Sequence, residues 1–466
     1  MTPDPILQAF ELLTRRDPLA PIVVSPERQA TVSDVDALAR AAGRPLLDAG
    51  LPPGAVVGLA AANGPGFLAS FLAVRRAGLA ALLLDAQTPD AEALRIVRAL
   101  GAAALLRCRT GWPGGPEDWE WTVTDGASLH LPGAAVVKLT SGSTGLPRGI
   151  ATPSSALLAD DAALTASMGL RRDDRFLTTI PLSHSYGLSS LTVPALVRGA
   201  MLVLPEEKSL YDPFATAART GATFFPTVPA HVDALVRMAE PPPRPEGLRL
   251  VITAGAPLSA ATSARFRELF GIPVHVFYGA SECGGICYDR EGGAAERGTV
   301  GEPVSGVRID LDADHGITVV SPAVATGYVP EGDSRLDNGR FRPSDLATWK
   351  DGELALSGRV DDLVNIKGKK VNPREIETVI GSLPGVDEVA VLGVQLPGRP
   401  AEILRAVIAC PPGRVTAEDV VAWCRRHLSA HKVPRSVLLV PELPRTPRGK
   451  LDRPALRALT SDSARG

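Results

Sequence analysis

Residues 140–149 read Thr-Ser-Gly-Ser-Thr-Gly-Leu-Pro-Arg-Gly: hydroxyls alternate with glycines, and one cation follows. Glycine lets a backbone take positive φ and approach a ligand closely. Consecutive main-chain N–H groups in such a loop form a concavity for anions. Thr140, Ser141, Ser143 and Thr144 add hydroxyl donors between Gly142 and Gly145, and Arg148 can meet a phosphate with two parallel hydrogen bonds. The apolar, β-prone run 134–137 leads into the loop. The combination suits a polyphosphate. It is not a Walker A loop, which needs Gly, four residues, then Gly-Lys-Ser/Thr. A merely flexible Ser/Gly turn is the alternative; the ordered spacing and the strand before it make that the weaker reading.

The segment resembles the phosphate loop of the adenylate-forming, or AMP-binding, superfamily, which includes acyl-CoA synthetases, luciferases and peptide-synthetase adenylation domains. That family usually carries Lys where this chain has Arg148. A phosphate-binding cation is kept, and a mobile-lysine role at this position is disfavoured. Further segments are similar to the family's motifs and follow in its order. Tyr278-Gly279-Ala280-Ser281-Glu282 resembles Tyr-Gly-x-Thr-Glu, with Ser281 for Thr. The resemblance puts Tyr278 and Gly279 on adenine and the Ser281 hydroxyl on the α-phosphate. It puts Glu282 on Mg²⁺, with Thr144 as a second metal contact. A hard cation of this kind binds through few carboxylates plus substrate phosphates. Gly255, Ala256 and Pro257 correspond to the turn that borders adenine.

Asp345 is the one residue kept from the family's Thr-Gly-Asp segment. A carboxylate accepts two hydrogen bonds readily, so Asp345 is the expected ribose ligand. Residues 358–365 resemble the family hinge, with Arg359 reaching ribose or phosphate and Asp361 as the pivot. Residues 444–450 resemble the C-terminal Pro-x-Thr-x-x-Gly-Lys signature. They make Lys450 the lysine that a mobile domain carries to the reacting carboxylate and α-phosphate. His184 and Tyr186 match the loop that lines the acyl pocket and gates the thiol tunnel, and Thr227, Ala280 and Gly284 fall on the same pocket's walls. The run Lys367-Gly368-Lys369-Lys370 is placed to meet CoA phosphates or an acidic carrier protein. None of the wall candidates is acidic, which disfavours an amino acid as substrate.

The resemblance therefore implies a two-step ligase: ATP and a small carboxylic acid give an acyl-adenylate and pyrophosphate, and a thiol then takes the acyl group. The implied cofactors are ATP, Mg²⁺ and CoA, or the phosphopantetheine of an acyl carrier protein. A fatty or aryl acid–CoA ligase is expected. A stand-alone acyl-AMP ligase loading a carrier protein is one alternative, and an inactive acyl- or nucleotide-binding homologue is another.

These residues need a scaffold. Residues 55–60, 79–84 and 102–106 are short apolar runs of buried-strand type, and 32–47, 65–77 and 90–100 have helical spacing. Strand and helix at this interval signal a parallel sheet covered by helices. Ser33 is the expected cap of the first of these helices, and Asn63 reads as a turn or capping residue. The strands 175–180, 250–253 and 274–277 each deliver a motif at their ends. Residues 301–357 are β-rich, and 363–457 are α+β. The expected fold is α/β: a large N-terminal ATP- and acid-binding domain, residues 1–358, and a small mobile α+β domain, residues 359–466, hinged near 359–362. A length of 466 residues agrees with more than one domain.

Composition narrows the class. A net charge of −2 leaves no basic footprint for nucleic acid. The five cysteines are scattered, which suits reduced thiols in a cytoplasmic protein; Cys283 and Cys287 read as small buried residues rather than a zinc site. The N-terminus lacks a signal-peptide pattern. Arg75 and Arg76 interrupt the most apolar stretch, 67–84, so no membrane span is expected. A monomer or homodimer fits these features.

Overall fold

The computed structural model describes residues 4–124, 129–140, 148–205, 212–330, 333–360, 364–366, 369–395, 402–445 and 451–462. Ser141, Gly142, Ser143, Thr144, Gly145, Asp361, Lys367, Gly368 and Lys450 lie outside these residues.

The chain divides into two compact units. The first comprises residues 1–310, 318–343 and 350–354; the second comprises 311–317, 344–349 and 355–466. Both contain helices and strands, and the expected α/β architecture is present.

In the first unit, a seven-stranded sheet is built around Val56–Ala61, Ala80–Leu84, Ala104–Cys108 and Ala134–Thr140, which run parallel. The first three strands are buried along their whole length. Parallel strands covered on both faces read as continuous apolar runs, and alternate residues serve different cores. Val57 and Leu59 enter the central core with Phe67, Phe71 and Leu72 of helix Pro65–Arg76. Val56 and Ala60 point the other way, against Ala93 and Val97 of helix Asp90–Ala99.

A nine-stranded sheet carries the parallel series Arg175–Leu177, Phe224–Thr227, Leu250–Thr253 and Val274–Ala280. Its two faces also feed separate cores. Phe224 and Ile252 share the central one with the helices above; Phe225 and Val251 meet Phe214, Phe266 and Phe270 in the other. The N-terminal ends of three of these strands are tied by Asp174. Its side chain is 2 % exposed, accepts from Arg249 Nε at 2.9 Å, Thr223 Oγ1 at 2.7 Å and the Arg171 N–H at 2.7 Å, and also pairs with Arg249 Nη2. Burial alone would push this carboxyl up, but the Arg249, Arg171 and Thr223 donors bring it below the usual carboxylate range.

The second unit contains a three-stranded sheet. Glu388–Gln395 and Glu402–Ala409 are antiparallel, and Ser436–Val440 runs parallel to the latter. Helices Pro373–Gly381 and Ala417–His427 cover one face through Ile376, Ile380, Val420 and Cys424. Leu456 of helix Arg453–Asp462 packs on the other face with Leu392 and Val407.

Three sequence expectations change. Helix Val32–Asp48 is capped by Thr31, not Ser33: the Thr31 hydroxyl accepts the Asp34 N–H, and the Asp34 carboxylate accepts the Thr31 N–H. This reciprocal box satisfies two otherwise orphaned donors, so it sets the start two residues earlier than Ser33 would. The expected strand 274–277 runs on to Ala280 and turns back antiparallel along Gly284–Tyr288. Asn63 does more than cap a turn. Its Nδ2 donates to the Ile180 carbonyl at 3.1 Å, and its Oδ1 accepts the Leu182 N–H at 2.9 Å.

Candidate active site

In a parallel sheet the chain leaves every strand at the same edge, where loops gather and ligands bind. Thr227, the turn at Gly255-Ala256-Pro257 and Tyr278 all occupy that edge of the nine-stranded sheet. Thr227 pairs in register with Thr253, and Thr253 with Val276. Gly255 has φ +87°, and a Cβ built on it would meet nothing within 4 Å. The turn is exposed, as close approach of a flat ligand to the backbone requires.

The hairpin of Val274–Ala280 and Gly284–Tyr288 presents Ser281 and Glu282 at its tip. Gly279 stands under the Gly284 carbonyl, which a Cβ would approach to 2.7 Å. The sharp reversal therefore needs glycine. Ser281 Oγ accepts the Ser185 hydroxyl at 2.7 Å. That bond joins the hairpin tip to the loop of His184, whose exposed ring accepts the Tyr186 N–H at Nδ1, 3.3 Å away. Tyr186 turns inward, with its ring centroid 5.7 Å from that of Phe277. Burial pushes its phenol well above the ordinary value.

Strand Ala134–Thr140 returns as Arg148–Pro153, with Thr140 directly opposite Arg148. The two ends of the candidate phosphate loop are thus held side by side. Strand Gly327–Val329 adds to the same edge, with Tyr328 opposite Ile150. The Tyr328 hydroxyl donates to Glu282 Oε1 at 3.0 Å. The Arg148 guanidinium lies over the Tyr328 ring at 4.3 Å and donates to Asp333 Oδ2 at 2.8 Å. Arg148, Ser281, Glu282, His184 and Tyr186 are therefore brought together by contacts within one unit. The Ala325 N–H, donating to the Glu282 carbonyl at 2.8 Å, pins the hairpin tip a second time.

Asp345 and Arg359 form a separate pair in the second unit, Nε to Oδ1 at 3.7 Å. The Val360 N–H donates to the Ser344 carbonyl at 2.7 Å beside it.

Five residues of this neighbourhood escaped the sequence reading: Lys138, Asp160, Tyr328, Asp333 and Arg335. Asp160 adds a buried carboxylate beside the wall candidate Gly284. The wall candidates are uncharged, yet the Asp160 carboxylate from helix Ser154–Met168 lies where a Cβ on Gly284 would stand and accepts the Gly285 N–H at 2.9 Å. Burial pushes its carboxyl up, against the pull of Gly285, the Ser189 hydroxyl and Lys138. Lys138 is 4 % exposed. Burial holds its ammonium below the usual lysine value, and Asp160, Cys283 and Glu282 oppose that shift. The one available signal was a lysine inside an otherwise apolar strand. For Tyr328 and Asp333 there was none, because their partners stand far away along the chain.

A divalent cation can be tested against these donors. Among the described residues no group of three or more His, Cys, Asp or Glu could hold a metal ion. Mg²⁺ does not need such a cage, since it keeps waters and binds through one or two carboxylates plus substrate phosphates. Glu282, partly exposed and with one oxygen committed to Tyr328, fits that donor set. All five cysteines are buried, and burial raises the Cys283 thiol well above its ordinary range, so it is a poor thiolate ligand. Among the described residues no helix is long and apolar enough to cross a membrane.

Comparison with known proteins agrees with this architecture. The AMP-binding enzyme family model matches residues 10–329, and the AMP-binding enzyme C-terminal domain model matches 375–450. The chain is 29% identical over 467 residues to an oxalate–CoA ligase of Arabidopsis thaliana, covering 90% of this chain and 91% of that one. It is 29% identical over 444 residues to a feruloyl-CoA synthase of Streptomyces sp, covering 86% and 88%. Among solved structures, ATP-bound MatB from Rhodopseudomonas palustris superposes with a TM-score of 0.82 at 23% identity, covering 98% and 99% of the two chains. The amide bond synthetase McbA from Marinactinospora thermotolerans gives 0.81 at 25% identity, covering 98% and 100%.

Proposed function

We propose, since this chain belongs to the AMP-binding enzyme family and is an AMP-forming acid–thiol ligase, that it activates a fatty or aryl acid with Mg·ATP and passes the acyl group to CoA. In the first step a carboxylate oxygen attacks the α-phosphorus, the bond to the bridging oxygen breaks, and pyrophosphate leaves. In the second step a thiolate attacks the acyl carbon and AMP leaves.

Catalysis in the first step is chiefly alignment and charge neutralisation. Arg148 and the 140–145 loop hold the β- and γ-phosphates, and the Ser281 hydroxyl meets the α-phosphate. Tyr278 and the 255–257 turn receive adenine, and Asp345 with Arg359 receives ribose. Glu282 and Thr144 would hold Mg²⁺, which supplies charge neutralisation at the phosphates. The acid lies against His184, Tyr186, Thr227, Ala280 and Gly284. Lys450 bridges carboxylate and α-phosphate in the first step. Rotation of the domain 359–466 about Asp361 then withdraws it and presents Lys367 and Gly368 to the thiol carrier. Hinges of this kind absorb the change at a few element-terminal residues. The working compartment in this reading is the cytoplasm.

The observation that supports this reading most is the chain of contacts from Arg148 through Tyr328 to Glu282. It sets Arg148, the proposed phosphate cation, over the face of one ring and Glu282, the proposed metal carboxylate, at that ring's hydroxyl. The test is pyrophosphate release with a panel of carboxylic acids, followed by thioester formation with CoA and, separately, with a carrier protein. Lys450→Ala is expected to slow adenylation severely and to spare thioester formation from supplied acyl-AMP. Equal loss of both half-reactions would refute that division of labour.

A further inference from the structure

Two residues that no motif pointed to contact the candidate phosphate cation, and one of them also reaches the candidate metal carboxylate. Tyr328 is 4 % exposed and fixed by the strand pairing of Gly327–Val329 with Arg148–Pro153. Its hydroxyl reaches Glu282 and its ring carries Arg148. Asp333 accepts from Arg148 Nη1 at 2.8 Å, from Arg335 Nη2 at 2.7 Å and from the Arg335 N–H at 3.0 Å. The Arg335 guanidinium lies 5.6 Å from the same tyrosine ring.

Asp333 thus holds two guanidinium groups, those of Arg148 and Arg335, beside the ring. Arg148 has five N–H donors in a flat fork, and the bond to Asp333 uses one nitrogen. The contact with the ring and the bond to Asp333 together hold the fork in place. The remaining donors can then face an anion without first being ordered. At the edge of the ring, the tyrosine hydroxyl engages one Glu282 oxygen and fixes the direction of the second.

We propose that Tyr328 and Asp333 are positioning residues for nucleotide binding. Asp333 and the Tyr328 ring aim Arg148 at the β/γ-phosphates, and the Tyr328 hydroxyl aims the free Glu282 oxygen at the divalent cation. The proposal rests on the function proposed above and adds two residues to it. The substitution of Arg148 for the family's lysine fits the same arrangement. A planar guanidinium stacks and bonds edgewise, and a lysine ammonium would do neither in that way.

The test is calorimetric binding of Mg·ATP to the full chain without any acid, so that no turnover enters the readout. Tyr328→Phe keeps the ring and is expected to raise the Mg²⁺ concentration needed for half-maximal ATP binding about tenfold, the worth of one hydrogen bond to a charged group. Asp333→Ala is expected to weaken Mg·ATP binding about tenfold at saturating Mg²⁺. In an Arg148→Ala background the same Asp333 change should cost little more, because residues that act through each other are not additive. If Asp333→Ala does not fold, Asp333→Asn supplies the same comparison. Unchanged or tighter ATP binding by the Asp333 variants overturns the proposal, since Asp333 would then be a bystander or a competitor of phosphate. So does an unaltered Mg²⁺ requirement in Tyr328→Phe. Failure of the unsubstituted protein to bind Mg·ATP would instead sink the underlying functional reading.

Discussion

The Asp160 carboxylate accepts the main-chain N–H of Gly285 at 2.9 Å and fills the space beside Gly284. A buried helix residue thereby fixes the hairpin that carries Ser281 and Glu282. Gly284 has φ +69°, a conformation that L side chains adopt at a cost. Gly284→Ala is therefore expected to lower both the urea midpoint and pyrophosphate exchange. Asp160→Ala should cost about 1–3 kcal/mol, because a buried N–H loses its acceptor. The double variant should be more stable than the sum of the two, since the clash disappears with the carboxylate. Strict additivity in denaturant titrations would contradict this account.

Asn63 ties the segment that leads to His184 through two hydrogen bonds. Asn63→Ala removes both and should destabilise by about 1–2 kcal/mol. The acid's KM should rise more than that of ATP, because the bonds support the His184 loop directly and reach Ser281 only through Ser185. A change confined to ATP affinity would show that the segment serves the nucleotide instead.

Glu282→Gln keeps an oxygen for the Tyr328 hydroxyl and removes the charge. Thermal stability should stay close to that of the unsubstituted protein. ATP–pyrophosphate exchange should fall about a hundredfold or more, the typical loss of a transition-state electrostatic contact. Exchange at the original rate and the original Mg²⁺ requirement would remove Glu282 from the metal's neighbourhood.

Asp174 predicts a pH dependence. Burial raises its carboxyl, but the Arg249, Arg171 and Thr223 donors outweigh burial, and the folded-state value lies below the unfolded one. In the interval between the two values the unfolded chain holds more protons. The contribution is therefore complete above the unfolded value of about 3.9 and fades as pH falls below it. Asp174→Asn should lower the urea midpoint by a constant amount between pH 5 and 8, and the gap should narrow below about pH 4. A gap that stays constant down to pH 3 would mean that the carboxylate charge plays no part.

The residues of 140–149, 278–282 and 444–450 identified the family from the chain alone, because each motif is contiguous and its chemistry is written in residue type. The parallel architecture was equally legible: strands covered on both faces must be apolar throughout, so 56–61 and 80–84 announce themselves. Local capping was only partly legible, since Thr31 and Ser33 both make good caps and reciprocity with Asp34 decides between them. Tertiary structure alone decided that Tyr328 and Asp333 would meet Arg148, that Asp160 would support the Glu282 hairpin, and that Asn63 would hold the His184 loop. Those partners are brought together by strand pairing and by helix packing across the sheets. A hydrogen bond that closes a long stretch of chain leaves no periodicity in the residues between its ends.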